Sequence, residues 1–146
     1  MAPTVTFLLG FAGSGKSHVA RQLERDEGAK PFEGIAAADK KHLWVEMLAH
    51  LQAGWNCTVE EWEFRTAENR LVVINELKRC IPGVNIRWIC FERDIESANW
   101  NVSVRPDAGK EDVLGHLQIN DIMESTYTIP DGAEVRKIHR LPPSNS

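Results

Sequence analysis

The sequence predicts an α/β fold: a single domain with a mostly parallel five-stranded sheet flanked by helices. Three observations carry this expectation. Short apolar or β-branched runs alternate with longer amphipathic segments from end to end. The 146 residues suit one compact domain. The composition, 42% hydrophobic and 26% charged, is that of a globular chain that buries a core without metal or disulfide staples. The domain is expected over residues 1–141, with 142–146 (Pro-Pro-Ser-Asn-Ser) as a disordered tail.

The elements follow in order. Val5-Thr6-Phe7-Leu8-Leu9 is a short apolar run ending at Gly10, suited to a strand buried on both faces. A helix is expected over 16–25, with Val19, Ala20 and Leu23 inward and Asp26-Glu27-Gly28 near its stop. A short strand fits 32–37. The amphipathic stretch 40–53 carries Leu43, Trp44, Met47, Leu48 and Leu51 on one helical face and ends at Gly54. A third strand fits 56–60. A helix over 66–80 turns Leu71, Val72, Ile74, Leu77 and Ile81 inward, and Pro82-Gly83 closes it. A fourth strand covers 85–91, a short helix 94–101 and a loop 102–110. A helix over 112–126 and a last strand over 134–139 complete the chain, separated by the turn Pro130-Asp131-Gly132. Ligands of such sheets bind beyond the carboxyl ends of the strands.

The first strand runs into Gly10-Phe11-Ala12-Gly13-Ser14-Gly15-Lys16-Ser17 and then a helix. This is a P-loop in its required context, and it makes the domain a P-loop NTPase domain. Gly10, Gly13 and Gly15 let the backbone turn sharply and approach a ligand without a Cβ in the way. The N–H groups of Ala12, Gly13, Ser14 and Gly15 can then form an anion nest at a helix N-terminus. Lys16 reaches the β- and γ-phosphates of ATP, and Ser17 offers a hydroxyl to Mg²⁺. His18 reads as a helix-face residue.

Other candidates lie just past strands. Asp39 follows the second strand, where a carboxylate can take the proton of an attacking hydroxyl; capping the helix that starts at Lys40 is a compatible role. Glu60 and Glu61 end the third strand, and side-chain alternation lets at most one of them face the phosphates. Glu61 is expected to be that residue and to share the magnesium shell with Ser17. Arg105 is the expected lid cation that closes on the γ-phosphate, with Arg93 and Lys110 as competitors. Trp44 and Trp88 read as core by periodicity, whereas Trp62 and Trp100 lie nearer the site. His116 and the stretch to Asn120 carry no recognised chemistry.

Bulk properties limit the partners. The net charge of −4 gives no general attraction to nucleic acid, so any such contact needs a local basic patch. Cys57, Cys80 and Cys90 are an odd set without tight spacing, which argues for free thiols in a reducing compartment. With no signal peptide and no apolar span, a cytoplasmic protein away from membranes is expected.

On these motifs the chain resembles small P-loop kinases of the polynucleotide kinase and zeta-toxin group. The P-loop with its strand carries the resemblance most specifically. Ala38-Asp39 is similar to the segment where polynucleotide kinases place a general base. Val59-Glu60-Glu61-Trp62-Glu63-Phe64 with Arg70 is similar to the group's strand-end acid and following arginine. The stretch 90–105 is similar in layout to an F-[DE]…R-N-x-x-R lid pattern, with Trp100-Asn101 where an Arg-Asn pair is usual. Glu61 stands where the group has Asp. The resemblance implies transfer of the γ-phosphoryl group of ATP, with Mg²⁺, to a hydroxyl on a nucleoside, nucleotide or nucleic acid. Some phage enzymes of this kind phosphorylate hydroxymethyl groups on DNA bases. A kinase of a small metabolite is the alternative, favoured mildly by the acidic charge. An NTP-driven switch ranks last, since the guanine signature Asn-Lys-x-Asp is absent from the sequence.

Overall fold

Parallel strands need crossovers, and the chain supplies one amphipathic segment for nearly every crossover. The computed structural model describes residues 2–105 and 109–143; Met1, part of the expected lid loop (106–108) and the end of the expected tail (144–146) lie outside it. The strands are β1 (Thr4–Leu9), β2 (Lys30–Glu33), β3 (Cys57–Glu60), β4 (Asn85–Phe91) and β5 (Glu134–Arg136). They form one five-stranded sheet in the order β2-β3-β1-β4-β5. Every pairing is parallel. The crossovers are α1 (Lys16–Glu27), α2 (Lys41–Gln52), α3 (Ala67–Cys80) and the pair α4 (Ile95–Ser103) and α5 (Lys110–Thr126).

The core is centred on β1, where Val5, Phe7 and Leu8 have no exposed surface. Alternation sorts its neighbours. Phe7 pairs in register with Val59 and Trp88 and stacks on the Trp88 ring at 4.4 Å. Thr6 and Leu8 belong to the other face, as do Thr58 and Glu60 across the β1–β3 pairing. Arg87 shares that second face and reaches Glu27 of α1 at 3.7 Å, so α1 covers it. Tyr127 is buried beyond α5 and donates its hydroxyl to the Phe91 carbonyl at 2.7 Å, tying α5 to the end of β4. Among the described residues no helix is long and apolar enough to cross a membrane. All three cysteines are free, with Cys57 and Cys90 buried.

Several boundaries differ from expectation. The second strand is Lys30–Glu33, not 32–37, because Gly34 turns the chain at φ +66°. The alanine run beyond it leads into a short 3₁₀ turn, Ala38–Lys40. The last strand stops at Arg136, where the Glu92 carboxylate takes over by accepting the Ile138 N–H at 3.1 Å. α4 runs on to Ser103, with Asp94 capping it by accepting the Ser97 N–H at 3.1 Å. The face of α3 is the largest correction. Arg70, Val73 and Leu77 are its buried residues, whereas Leu71 and Val72, expected inward, are 59% and 69% exposed. Arg70 sets that rotation, donating to the Phe64 and Thr128 carbonyls at 3.1 and 2.9 Å and to Thr128 Oγ1 at 2.8 Å.

Candidate active site

The loop between β1 and α1 is shaped by glycines that nothing else can replace. Gly13 and Gly15 adopt φ of +86° and +114°, in the left-handed region where a side chain is strained. A Cβ on Gly13 would lie 2.4 Å from the Ala98 carbonyl oxygen. A Cβ on Gly10 would lie 2.8 Å from Ser14 Oγ and 2.9 Å from Phe91 Cβ. The turn is closed by the Ser14 N–H on the Phe11 carbonyl at 3.1 Å, and α1 begins with the Val19 N–H on Gly15. Lys16 arches over this turn, its Nζ donating to the Gly10 and Phe11 carbonyls at 2.7 and 2.8 Å. Burial lowers its ammonium to about 8, against the pull of Glu60 and Glu33, with Arg105 adding to the lowering.

The strand-end carboxylates separate by parity. Leu8, Glu60 and Glu33 stand in register across β1, β3 and β2. Glu60 lies on the α1 face, and Ser17 Oγ donates to its Oε2 at 3.4 Å. Its other oxygen is buried without a hydrogen-bond partner among the described residues. Burial, and then repulsion from Glu33, push the Glu60 carboxyl up to about 7. Glu61, one residue on, faces the opposite way. It is 7% exposed, and its carboxyl is raised to about 7 by burial and by Glu63, opposed by a hydrogen bond from the Ala36 N–H. The carboxylate beside Ser17 is thus Glu60, and the expectation for Glu61 is reversed by simple alternation along an extended chain.

A pocket of about 1030 Å³ opens over the loop. Lys16, Arg21, Arg105, Arg136 and Lys137 line it, and among the described residues no carboxylate does. A chain of net charge −4 thus concentrates cations at one place. Of the three lid candidates, Arg105 alone lines this pocket. Arg93 is engaged elsewhere, donating to the Glu124 carbonyl at the end of α5. Lys110 opens α5 outside the lining.

Other expected residues are placed differently. Asp39 is exposed in the 3₁₀ turn after β2 and does not cap α2, whose N-cap is Lys40 without a side-chain bond. Arg70 is buried as a strut. Trp62 lies under the Arg65 guanidinium at 4.2 Å, and Trp100 donates to the Leu141 carbonyl at 2.8 Å; neither lines the pocket. Trp44 packs against the core as expected. Residues that sequence reasoning did not single out are Glu33, Arg136 and Lys137; it met Asn101 only within the lid pattern and Asn120 only in a stretch without recognised chemistry. An asparagine in the middle of an otherwise apolar helical face is a signal in principle, because a buried amide must find partners.

No protein-family model matches the chain, and no curated protein matches it in sequence. Solved structures do resemble it. A gluconokinase from Sinorhizobium meliloti 1021 superposes with a TM-score of 0.65 at 14% identity, covering 96% of this chain and 85% of that one. A fungal RNA kinase gives 0.62 at 13% identity, over 100% of this chain and 80% of the other. A sugar kinase from Janibacter sp. HTCC2649 gives 0.52 at 14% identity, over 94% and 84%. At such identities the common property is the fold: the chain has the fold of P-loop kinases.

Proposed function

We propose that this chain is an ATP-dependent phosphotransferase, moving the γ-phosphoryl group to a hydroxyl on a nucleoside, nucleotide or nucleic acid in the manner of polynucleotide kinases. The observation that carries the reading is the convergence of Lys16, Ser17, Glu60 and Arg105 on one glycine-built loop. The N–H groups of Gly13 and Gly15 and the start of α1 receive the phosphates; those of Ala12 and Ser14, expected in the same nest, are held by Asn120 and by the Phe11 carbonyl. Lys16 releases the Gly10 and Phe11 carbonyls to bind β- and γ-oxygens. Arg105 compensates the charge that spreads over the γ-phosphoryl group as the bond to the bridging oxygen breaks and the bond to the acceptor oxygen forms. Asp39, exposed beyond β2, is the proposed base that takes the acceptor's proton.

Ser17 and Glu60 fit a magnesium ion: a hydroxyl lies beside a carboxylate whose second oxygen is an orphan, and both ligands are hard oxygens. Ser17 and Glu60 would hold the ion, which would supply neutralisation of phosphate charge. Glu60 replaces Glu61 in this role.

A small-metabolite acceptor is the second reading. Glu33 and Glu60 at adjacent strand ends favour it, because carboxylates repel a phosphodiester backbone. The test is incubation with γ-labelled ATP and Mg²⁺ against normal and hydroxymethylated oligonucleotides, nucleosides and a metabolite panel. Label moving to one acceptor class selects between the two. Label found only in free phosphate, with every acceptor inert, sinks both. Lys16→Ala is expected to abolish transfer, and near-normal turnover in Asp39→Asn would remove Asp39 as the base.

A further inference from the structure

The rim of the phosphate loop is held by amides from helices far along the chain. Asn120 of α5 has no exposed surface. Its Oδ1 accepts the Ala12 N–H at 2.6 Å, and its Nδ2 donates to the Ala12 carbonyl at 2.9 Å. One side chain thus satisfies both polar groups of one loop residue. The same Nδ2 donates to Asn99 Oδ1 on α4 at 2.9 Å. Asn101 of α4 is buried and works alongside: its Nδ2 donates to the Gly13 and His139 carbonyls, each at 2.9 Å, and its Oδ1 accepts the Leu141 N–H at 2.7 Å. A carboxamide offers a donor and an acceptor in one plane, which neither a carboxylate nor a hydroxyl reproduces with this reach.

These asparagines gain nothing from helix propensity or from apolar burial. Their positions carry further meaning. Arg105 follows Asn101 by four residues, His116 precedes Asn120 by four, and both Arg105 and His116 line the pocket. His116 lies one turn before Asn120 on α5, and Arg105 follows just past the end of α4, so each loop-holding amide has a cationic or titratable pocket residue close to it in the chain.

We infer that Asn120 and Asn101 are positioning residues that fix the rim of the loop in its phosphate-receiving shape and seat the α4–α5 hairpin on it, so that nucleotide in the loop and the position of the lid cation are coupled. The peptide at Ala12 cannot flip without leaving buried polar groups unpaired. The coupling then runs through a direct contact between two elements, with Asn99 as the strut between the helices. The inference rests on the nucleotide-binding half of the proposed function and not on group transfer.

The experiment compares the full chain with Asn120→Ala, Asn101→Ala and Asn99→Ala, at a temperature where circular dichroism shows each folded. Two quantities are read: the Kd for Mg·ATP by calorimetry, and backbone amide hydrogen exchange with and without Mg·ATP. Loss of two buried hydrogen bonds at the rim is expected to weaken nucleotide binding by about tenfold or more in Asn120→Ala. The Ala12 amide should exchange faster by a similar factor. In the wild type, nucleotide should slow exchange across α4 and α5; in Asn120→Ala that protection should stay confined to the loop, which a merely structural defect would not produce. Asn99→Ala, which keeps both Ala12 bonds, should show the lost coupling with a smaller loss of affinity. A folded Asn120→Ala chain with wild-type Kd and unchanged protection of α4 and α5 overturns the inference. If Asn120→Ala does not fold, the same two readouts on Asn101→Ala and Asn99→Ala decide it. Amide-dependent binding without label on any acceptor would sink the kinase reading and leave this one standing; transfer with wild-type coupling in every variant does the reverse.

Discussion

Glu60 and Glu61 are neighbours in the chain and live in different surroundings. Glu60 shares its face with α1 and meets Ser17; Glu61 is turned to the far side and meets Ala36 and Glu63. Opposite outcomes are expected when each is made neutral. Glu60→Gln should lower kcat by about 100-fold and raise the magnesium concentration needed for half-maximal rate, since it removes the carboxylate proposed to hold the ion beside Ser17. Glu61→Gln should leave kcat within about threefold, a change of roughly 0.7 kcal/mol. It should also melt at least as high as the wild type at pH 7.5, because it relieves a buried carboxyl of its charge. Steady-state kinetics with a magnesium titration, and a melting curve, check both. At this scale the sequence announces the P-loop fully, because its glycines, Lys16 and Ser17 are contiguous and bring their geometry with them. It announces that at most one of two adjacent glutamates can share the face of Ser17. It does not say which, because parity depends on where pairing with β1 and β2 begins.

Among the elements, α3 and the lid segment show what periodicity reads and what it misses. Apolar residues occupy most positions of 71–77, so several faces of α3 look equally buriable. The choice is made by Arg70, whose three hydrogen bonds lie inside the fold and pull the 70/73/77 stripe inward. A buried arginine is the last residue a hydrophobic pattern would nominate. Val73→Ala should therefore cost about 1–2 kcal/mol of stability, whereas Val72→Ala should stay within about 0.5 kcal/mol, both by denaturant unfolding. α2 was legible in comparison: Met47 and Leu51 are buried, with Leu43, Trp44 and Leu48 packed beside them. At the lid, Arg105→Ala should lower kcat by about tenfold or more with a smaller effect on the Kd for nucleotide. Arg93→Ala should leave kcat unchanged, because Arg93 is tied to the end of α5. Pre-steady-state rates alongside equilibrium binding separate the two effects. An unchanged kcat in Arg105→Ala would remove Arg105 from the proposed mechanism.

The whole molecule has the predicted architecture, and the sheet is more regular than expected, parallel throughout. Strand-helix alternation fixes that much, since each connection is long enough to cross over and too long for a hairpin. The strand order was not legible, because it depends on which edge each crossover reaches. Neither was the gathering of Arg21, Arg105, Arg136 and Lys137 around one pocket, which joins residues from three parts of the chain. That electrostatic arrangement has a pH signature. The raised carboxyls of Glu60 and Glu61 stabilise the fold at low pH, and this contribution is lost as pH rises toward about 7. The lowered ammonium of Lys16 contributes stability only at strongly alkaline pH, and that is lost as pH falls through about 8. Both costs are in force near pH 7.5. The nucleotide-free chain should therefore melt lower at pH 7.5 than at pH 5.5, and saturating Mg·ATP should raise the melting temperature more at the higher pH. Differential scanning calorimetry at the two pH values checks this; an equal or higher melting temperature at pH 7.5 without nucleotide would contradict it.

The amide of Asn101 joins the Gly13 carbonyl to His139 and Leu141. During synthesis the phosphate loop leaves the ribosome well before α4, α5, His139 and Leu141, the groups that hold its rim. At roughly 5–20 residues per second, the loop waits on the order of ten seconds for its supports. The loop rim is therefore complete only in a chain synthesised through Leu141.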